Sequence, residues 1–338
     1  MPLFTTPLQY RIHFSPSSFR YTVSCETPLR VCDFINNNHR EIEEIHAERD
    51  LEPDLIVVLD TSFECPLTDA YDITPTIGVS TSEYVELSYS GFAKLKLTTV
   101  GPDVLTVHPN LGDTAPTLQL NTGLMALRHG AIKTRRVILH ASALETKDRG
   151  LIFLGDTRTG KSTFTIMASL ESSRLLSDDL VLVEYDENQE VPTAYAARKD
   201  FTLRSDIAES CFNLPTDGME KIKTVEGTKY LLTRESNLVN TVSSVTLNHI
   251  FFCTEISKKN ETVIEKLNSA NYYSLLLQNF FPMFGENFRI FKEEQKLTKE
   301  LIIVLHKNCT GHSISMGRDI LDNPALAMKN LIDQLSKL

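Results

Sequence analysis

The residues best suited to chemistry stand in one run, Gly155-Asp156-Thr157-Arg158-Thr159-Gly160-Lys161-Ser162-Thr163, which fits the pattern G-x-x-x-x-G-K-[ST]. Two glycines at this separation let the backbone close around an anion with its N–H groups turned inward. A helix beginning near Lys161 would aim the positive end of its dipole at the same anion. Lys161 would then reach the β- and γ-phosphates of a nucleotide, and the Ser162 hydroxyl would ligate Mg²⁺. The expectation is a nucleotide-binding P-loop (a Walker A motif) spanning Gly155 to Thr163. Arg158 either adds charge beside the nucleotide or faces solvent.

A pair of carboxylates, Asp178-Asp179, follows one helix and one short strand downstream. On a regular strand adjacent side chains point to opposite faces, so both reach the phosphates only if the chain kinks. One Asp can serve a metal ion while the other accepts the proton of an attacking hydroxyl. Ser162 and Asp179 are the expected metal contacts, with Lys161, His140 and both Asp residues as the catalytic group. Either Asp suits either role. Taken alone, Asp178-Asp179 reads as a hairpin turn and His140 as an ordinary strand histidine; their place around a P-loop gives them a functional reading.

These side chains need elements to hold them. Residues 151–154 are apolar and strand-like, and 162–170 have helical spacing, which is the context a P-loop requires. Strands are expected at 137–145 and 150–154, then a strand, a polar kink and a second strand over 174–185. Further along, 191–233 reads as irregular with short strands, 247–254 and 301–306 as strands, 269–279 as a helix and 324–338 as an amphipathic helix. Upstream, short alternating runs at 10–14, 19–23, 55–59, 84–89, 93–99 and 104–108 are broken by Pro and Gly. The charged stretch 38–50 reads as a solvated helix or loop, and 121–131 as a joining helix that ends near Gly130. The expected organisation is a β-rich N-terminal domain over 1–130, for regulation or substrate recognition, and an α/β P-loop domain over 131–338.

A length of 338 residues suits two domains, and 41% hydrophobic with 23% charged residues is ordinary for a globular chain. Lys and Arg number 34 against 44 Asp and Glu, a net charge of −10 with no basic stripe, which argues against a nucleic-acid partner. A P-loop tolerates this balance because backbone N–H groups, one Lys and a metal ion hold the phosphates. Six scattered cysteines form no CxxC pair and read as free thiols of a reducing compartment. The apolar runs are too short to span a bilayer, and the opening residues lack a basic-then-apolar pattern. The expectation is a cytoplasmic protein with no membrane partner.

Together, His140-Ala141-Ser142, Gly150-Leu151-Ile152-Phe153-Leu154-Gly155-Asp156, Gly160-Lys161-Ser162-Thr163 and Leu175-Leu176-Ser177-Asp178-Asp179 resemble the catalytic domain of the HPr kinase/phosphorylase family, which includes free-serine and peptide-serine kinases. The resemblance implies the fold shared with phosphoenolpyruvate carboxykinase: a P-loop in a mixed, strongly twisted sheet. It implies a kinase using ATP or ADP with Mg²⁺, in which His140, Asp178 and Asp179 surround the transferred phosphoryl group. The acceptor implied is a hydroxyl, that of serine in a small molecule, peptide or protein, and relatives are commonly homo-oligomers. The chain departs from the type member in its P-loop interior, Asp156-Thr157-Arg158-Thr159, and in its N-terminal block, so HPr itself is not the expected substrate. The alternatives are a nucleotide-binding regulator without turnover and an acceptor-independent ATPase or phosphorylase.

Overall fold

The structure, a computed structural model, describes residues 8–14, 17–24, 42–44, 55–59, 76–89, 93–107, 125, 128–156, 159–171, 173–185, 191–197, 201–210, 219–224, 227–232, 238–254, 261–280 and 292–335. The chain divides into two compact units, Met1–Thr134 and Arg135–Leu338. It is a mixed α/β protein with several sheets.

The first unit contributes β1 (Leu8–Phe14), β2 (Ser17–Ser24), β3 (Ile42–Glu44), β4 (Leu55–Leu59), β5 (Thr76–Ser80), β6 (Tyr84–Tyr89), β7 (Ala93–Thr98) and β8 (Asp103–Val107). They form one sheet in the order β3-β1-β2-β4-β8-β7-β6-β5, with β4 parallel to both neighbours. Alternation makes β7 a half-buried strand: Ala93, Leu95 and Leu97 lie inside while Lys94 faces out. Strand β3 falls in the stretch expected to be helix or loop. Three residues are too few for a period to register, and their extended form comes from pairing with β1. The helical residues 128–133 run through Gly130 and stop at the turn before Arg136, three residues later than the glycine suggested.

The second unit runs β9 (Arg136–His140), β10 (Ser142–Thr146), β11 (Arg149–Leu154), α1 (Lys161–Glu171), β12 (Arg174–Ser177), β13 (Leu180–Glu184), β14 (Thr193–Ala196), β15 (Phe201–Arg204), α2 (Ser205–Ser210), β16 (Lys221–Thr224), β17 (Gly227–Leu232), β18 (Ser244–Cys253), β19 (Val263–Lys266), α3 (Ser269–Phe280), α4 (Lys292–Asn308), β20 (Thr310–Ser315), α5 (Asp319–Asp322) and α6 (Pro324–Leu335). Its large sheet has the order β12-β10-β11-β18-β14-β13-β9, and β18 also carries β20, which pairs with β19. The branch is possible because β18 is ten residues long: Ser244–Thr246 pair antiparallel with β14, while the rest runs parallel to β11 and β20. A separate sheet, β15-β17-β16, lies with α2 over the other side of α1.

Helix α1 is gripped from two sides. Phe164, Met167 and Ala168, at helical spacing, enter a cluster with Phe153, Phe251, Cys253, Ile314 and Met316. Ile166 enters the other, with Leu175, Phe201, Leu203 and Tyr230. Phe153 sits 4.6 Å from Phe164 and 5.0 Å from Phe251, ring centre to ring centre. Each such ring contributes roughly 1.5–3 kcal/mol by burial, so the helix start is fixed against the strand that feeds it.

Two expectations fail here. Residues 301–306 belong to α4, not to a strand. The apolar run alone fits either, but the buried positions Glu294, Leu297, Thr298, Leu301, Ile302 and Leu305 follow the helical period, and Ile303 remains 60% exposed. Residues 137–145 are two strands rather than one, broken at Ala141, where the chain passes from pairing with β13 to pairing with β11 and β12.

Strands β18 and β20 bring His249 and His312 together in the interior. Nδ1 of His249 lies 3.1 Å from Nε2 of His312, which is wholly buried and stacked on Phe251. Burial, reinforced by His249 and Lys266, pulls His312 down to about 4, and burial with Arg149 and Lys266 lowers His249 as well. An unfolded histidine titrates near 6.5. Between the two values the unfolded chain binds more protons than the folded one, so stability is lost as pH falls from about 6.5 toward 4. The depression of His312 alone corresponds to roughly 3 kcal/mol. Urea midpoints of the wild type should therefore drop between pH 7 and pH 4.5, and the drop should shrink by more than half in His312→Gln; an equal drop in both proteins would discount the pair.

Candidate functional site

The loop after β11 is closed by its own chemistry. Gly155 takes φ +143° and Gly160 φ +88°. Thr159 donates its hydroxyl to the Asp156 carbonyl at 2.8 Å. The first N–H groups of a helix have no partner within it, and α1 begins at Lys161, so its first turn opens toward this loop. Ser162 and Thr163 are half-buried there. Thr157 and Arg158 lie outside the described residues.

Positive φ disfavours a side chain at both glycines, and at Gly155 a backbone neighbour blocks it as well. A Cβ on Gly155 would stand 2.5 Å from the Cys253 carbonyl oxygen, and one on Gly160 would stand 2.6 Å from Met316 Sδ. Gly155→Ala should thus combine backbone strain with a clash against rigid backbone and cost at least about 3 kcal/mol. Gly227→Ala is the control: φ there is +118° but nothing lies within 4 Å of the added methyl, so a cost of about 1 kcal/mol is expected. Denaturant midpoints of the two variants check this; equal losses would remove the Cys253 contact as the cause.

Lys161 is 6% exposed and folds back over the loop, its Nζ donating to the carbonyls of Gly155 and Asp156 at 2.8 Å each. Burial lowers its pKa; Cys253, Asp178, Asp179 and Asp156 oppose the shift. Burial pushes the Cys253 thiol up to about 12, so at ordinary pH the opposing negative charge comes from the carboxylates. An ammonium in a water-poor site acts on a neighbouring charge more strongly than one in bulk water.

Asp178 and Asp179 occupy the break between β12 and β13, beside the break at Ala141 between β9 and β10. The Ala141 N–H bonds the Asp179 carbonyl at 3.1 Å across the two breaks. Leu180 N–H bonds the Asp178 carbonyl at 2.8 Å with Asp179 at φ +68°, a γ-turn of the rare positive-φ kind. This strained turn gives the pair unlike surroundings. Asp178 is 3% exposed and accepts a 2.7 Å bond from Ser142 Oγ. The Asp179 side chain is 46% exposed, and its Oδ1 lies 3.2 Å from His140 Nε2.

His140, Lys161, Asp178 and Asp179 are thus brought into one locality, with Ser162 one residue from Lys161. Arg204 is bonded to Asp206 at 3.0 and 2.6 Å on an exposed surface. Asp319 accepts from Thr262 N–H, the Thr262 hydroxyl and Ile320 N–H. Three neighbours carried no assigned role in the sequence. Cys253, at the end of β18, and Met316, just past β20, wall the loop glycines, and Ser142, the first residue of β10, bonds Asp178.

Among the described residues no helix is long and apolar enough to cross a membrane. No protein-family model matches the sequence, and no curated protein matches it. Among solved structures, the chain is similar to the Hpr(Ser) kinase/phosphatase from Coxiella burnetii, at 10% identity over 59% of this chain and 95% of that one, with a TM-score of 0.29. A likeness that slight carries no weight for function.

Proposed function

We propose that this protein is a distant relative of the HPr kinase/phosphorylase group and a phosphotransferase. It moves a phosphoryl group from ATP or ADP to a hydroxyl, that of serine in a small molecule, peptide or protein. The observation that carries the reading is the grouping of a buried Lys161 with two carboxylates of unlike exposure at the end of a glycine-bounded loop.

The loop N–H groups and the start of α1 would cradle the phosphates. Lys161 would leave the Gly155 and Asp156 carbonyls and turn to the transferred group, where its charge opposes the negative charge of the phosphoryl oxygens. The pair at 178–179 would supply a base for the acceptor hydroxyl, and His140, at hydrogen-bond distance from Asp179, would orient that carboxylate. Among the described residues no three His, Cys, Asp or Glu side chains converge on a metal position. The available oxygens, Ser162 and Asp179, fit a hard divalent cation such as Mg²⁺, which characteristically takes one or two carboxylates with substrate phosphates and water. When bound, it would neutralise phosphate charge.

The test is transfer of label from γ-labelled ATP and β-labelled ADP, with Mg²⁺, to free serine and to serine-containing peptides and proteins. Label on an acceptor, dependent on Mg²⁺, is the expected result. Release of labelled phosphate without an acceptor would replace the reading with a hydrolytic one. Tight nucleotide binding without turnover would replace it with a regulatory one.

A further inference from the structure

We infer that Ser142 is the positioning residue for Asp178: its hydroxyl holds that carboxylate toward the phosphate site, a role that rests on the phosphoryl-transfer reading. Ser142 is the first residue of β10, immediately after the break at Ala141, and it is 0% exposed. Its register partner on β11 is Phe153, and Ala141 and Ala143 flank it, all fully buried. A position so surrounded packs well with an alanine. A buried hydroxyl is kept only where it has a partner, and the partner here is Asp178 Oδ1 at 2.7 Å.

The bond crosses between two chain breaks that face each other in an otherwise continuous antiparallel ladder. His140 pairs with Leu180 on one side, and Ala143 with Ser177 on the other. Between them stand Ala141-Ser142 and Asp178-Asp179. Ser177 closes the same turn by donating its hydroxyl to the Leu180 carbonyl at 2.6 Å. The backbone of the turn is thus held by Ser177 and Ala141, leaving the Ser142 hydroxyl to fix the side chain of Asp178. Asp179, nearly half exposed, is held from the other side by His140. The two carboxylates therefore have separate orienting partners on either side of the break at Ala141: His140 for Asp179 and Ser142 for Asp178.

Ser142→Ala in the full chain should lower kcat for phosphoryl transfer at least about tenfold, since small misplacements of a reacting group cost that much or more. The nucleotide KM should stay within about threefold, because the phosphate cradle is untouched. Ser142→Thr, which keeps the hydroxyl, should recover to within about threefold of wild type. A second measurement covers the case in which the threonine methyl disturbs folding: adding Ser142→Ala to Asp178→Asn should cost less than about twofold further. Wild-type kcat in Ser142→Ala, or a full tenfold further loss in the double variant, would overturn the inference while leaving phosphoryl transfer in place. Phosphate release without an acceptor, or nucleotide binding without turnover, in the wild type would overturn the phosphoryl-transfer reading, and this inference with it.

Discussion

Lys161→Ala is expected to slow phosphoryl transfer by about 10²–10³-fold, the loss seen when a preorganised charge or donor is removed from a developing anion. The nucleotide dissociation constant should rise in parallel. The ammonium is buried at 6% exposure, with Asp156, Asp178 and Asp179 as its carboxylate neighbours. Bound phosphate adds negative charge where the side chain already lacks water, so its contribution exceeds that of a surface ion pair. The folded protein itself should tolerate the change. Two bonds to loop carbonyls are lost, but the cost of burying the charge goes with them. The clearest readout is thermal: nucleotide at 100 times its dissociation constant should stabilise the wild type by about 2.7 kcal/mol, and the same concentration should shift Lys161→Ala by less than half as much. Equal shifts would mean that phosphate does not contact Lys161.

Asp179→Asn is expected to reduce transfer by about 10²–10⁴-fold, the range for a general acid or base, while nucleotide binding in the absence of metal stays within a few fold. Asparagine is the informative choice because of the backbone. Asp179 sits at φ +68°, a conformation that Asn accepts more readily than nearly any other non-glycine residue. Its amide oxygen can also accept from His140 Nε2, which lies 3.2 Å away. Fold and orientation thus survive while the charge and the basic oxygen are lost. Alanine would add strain and confuse the two effects. Single-turnover transfer with bound nucleotide separates them from product release, and transfer at the wild-type rate would exclude Asp179 from the chemistry.

Much of the local structure was legible because it is governed by neighbours in the chain. The apolar run before Gly155, the helical spacing after Lys161 and the polar interruption at 178–179 each correspond to an element boundary. The strands at 55–59 and 84–89 carry their own alternation or apolar content and stand where expected. Legibility stopped wherever two periods compete. Residues 301–305 are apolar throughout, so strand and helix fit equally, and only packing of the 294–305 face decided for the helix. The break at Ala141 is not marked in 137–145, which carries neither Gly nor Pro. It exists because that segment borders one set of strands before Ala141 and another after it.

The candidate site divides in the same way. The residue types and spacing of Gly155, Gly160, Lys161 and Ser162 are a local code, since a loop that wraps an anion needs its glycines, cation and hydroxyl within a few residues of one another. The Asp pair could be named from sequence, but its two members could not be distinguished. The γ-turn at Asp179, the Ser142 bond and the His140 contact separate a buried carboxylate from an exposed one. The Ser142 and His140 contacts span 36 and 39 positions of the chain, and burial and hydrogen-bond geometry at that range are properties of the packed sheet, not of any segment that enters it.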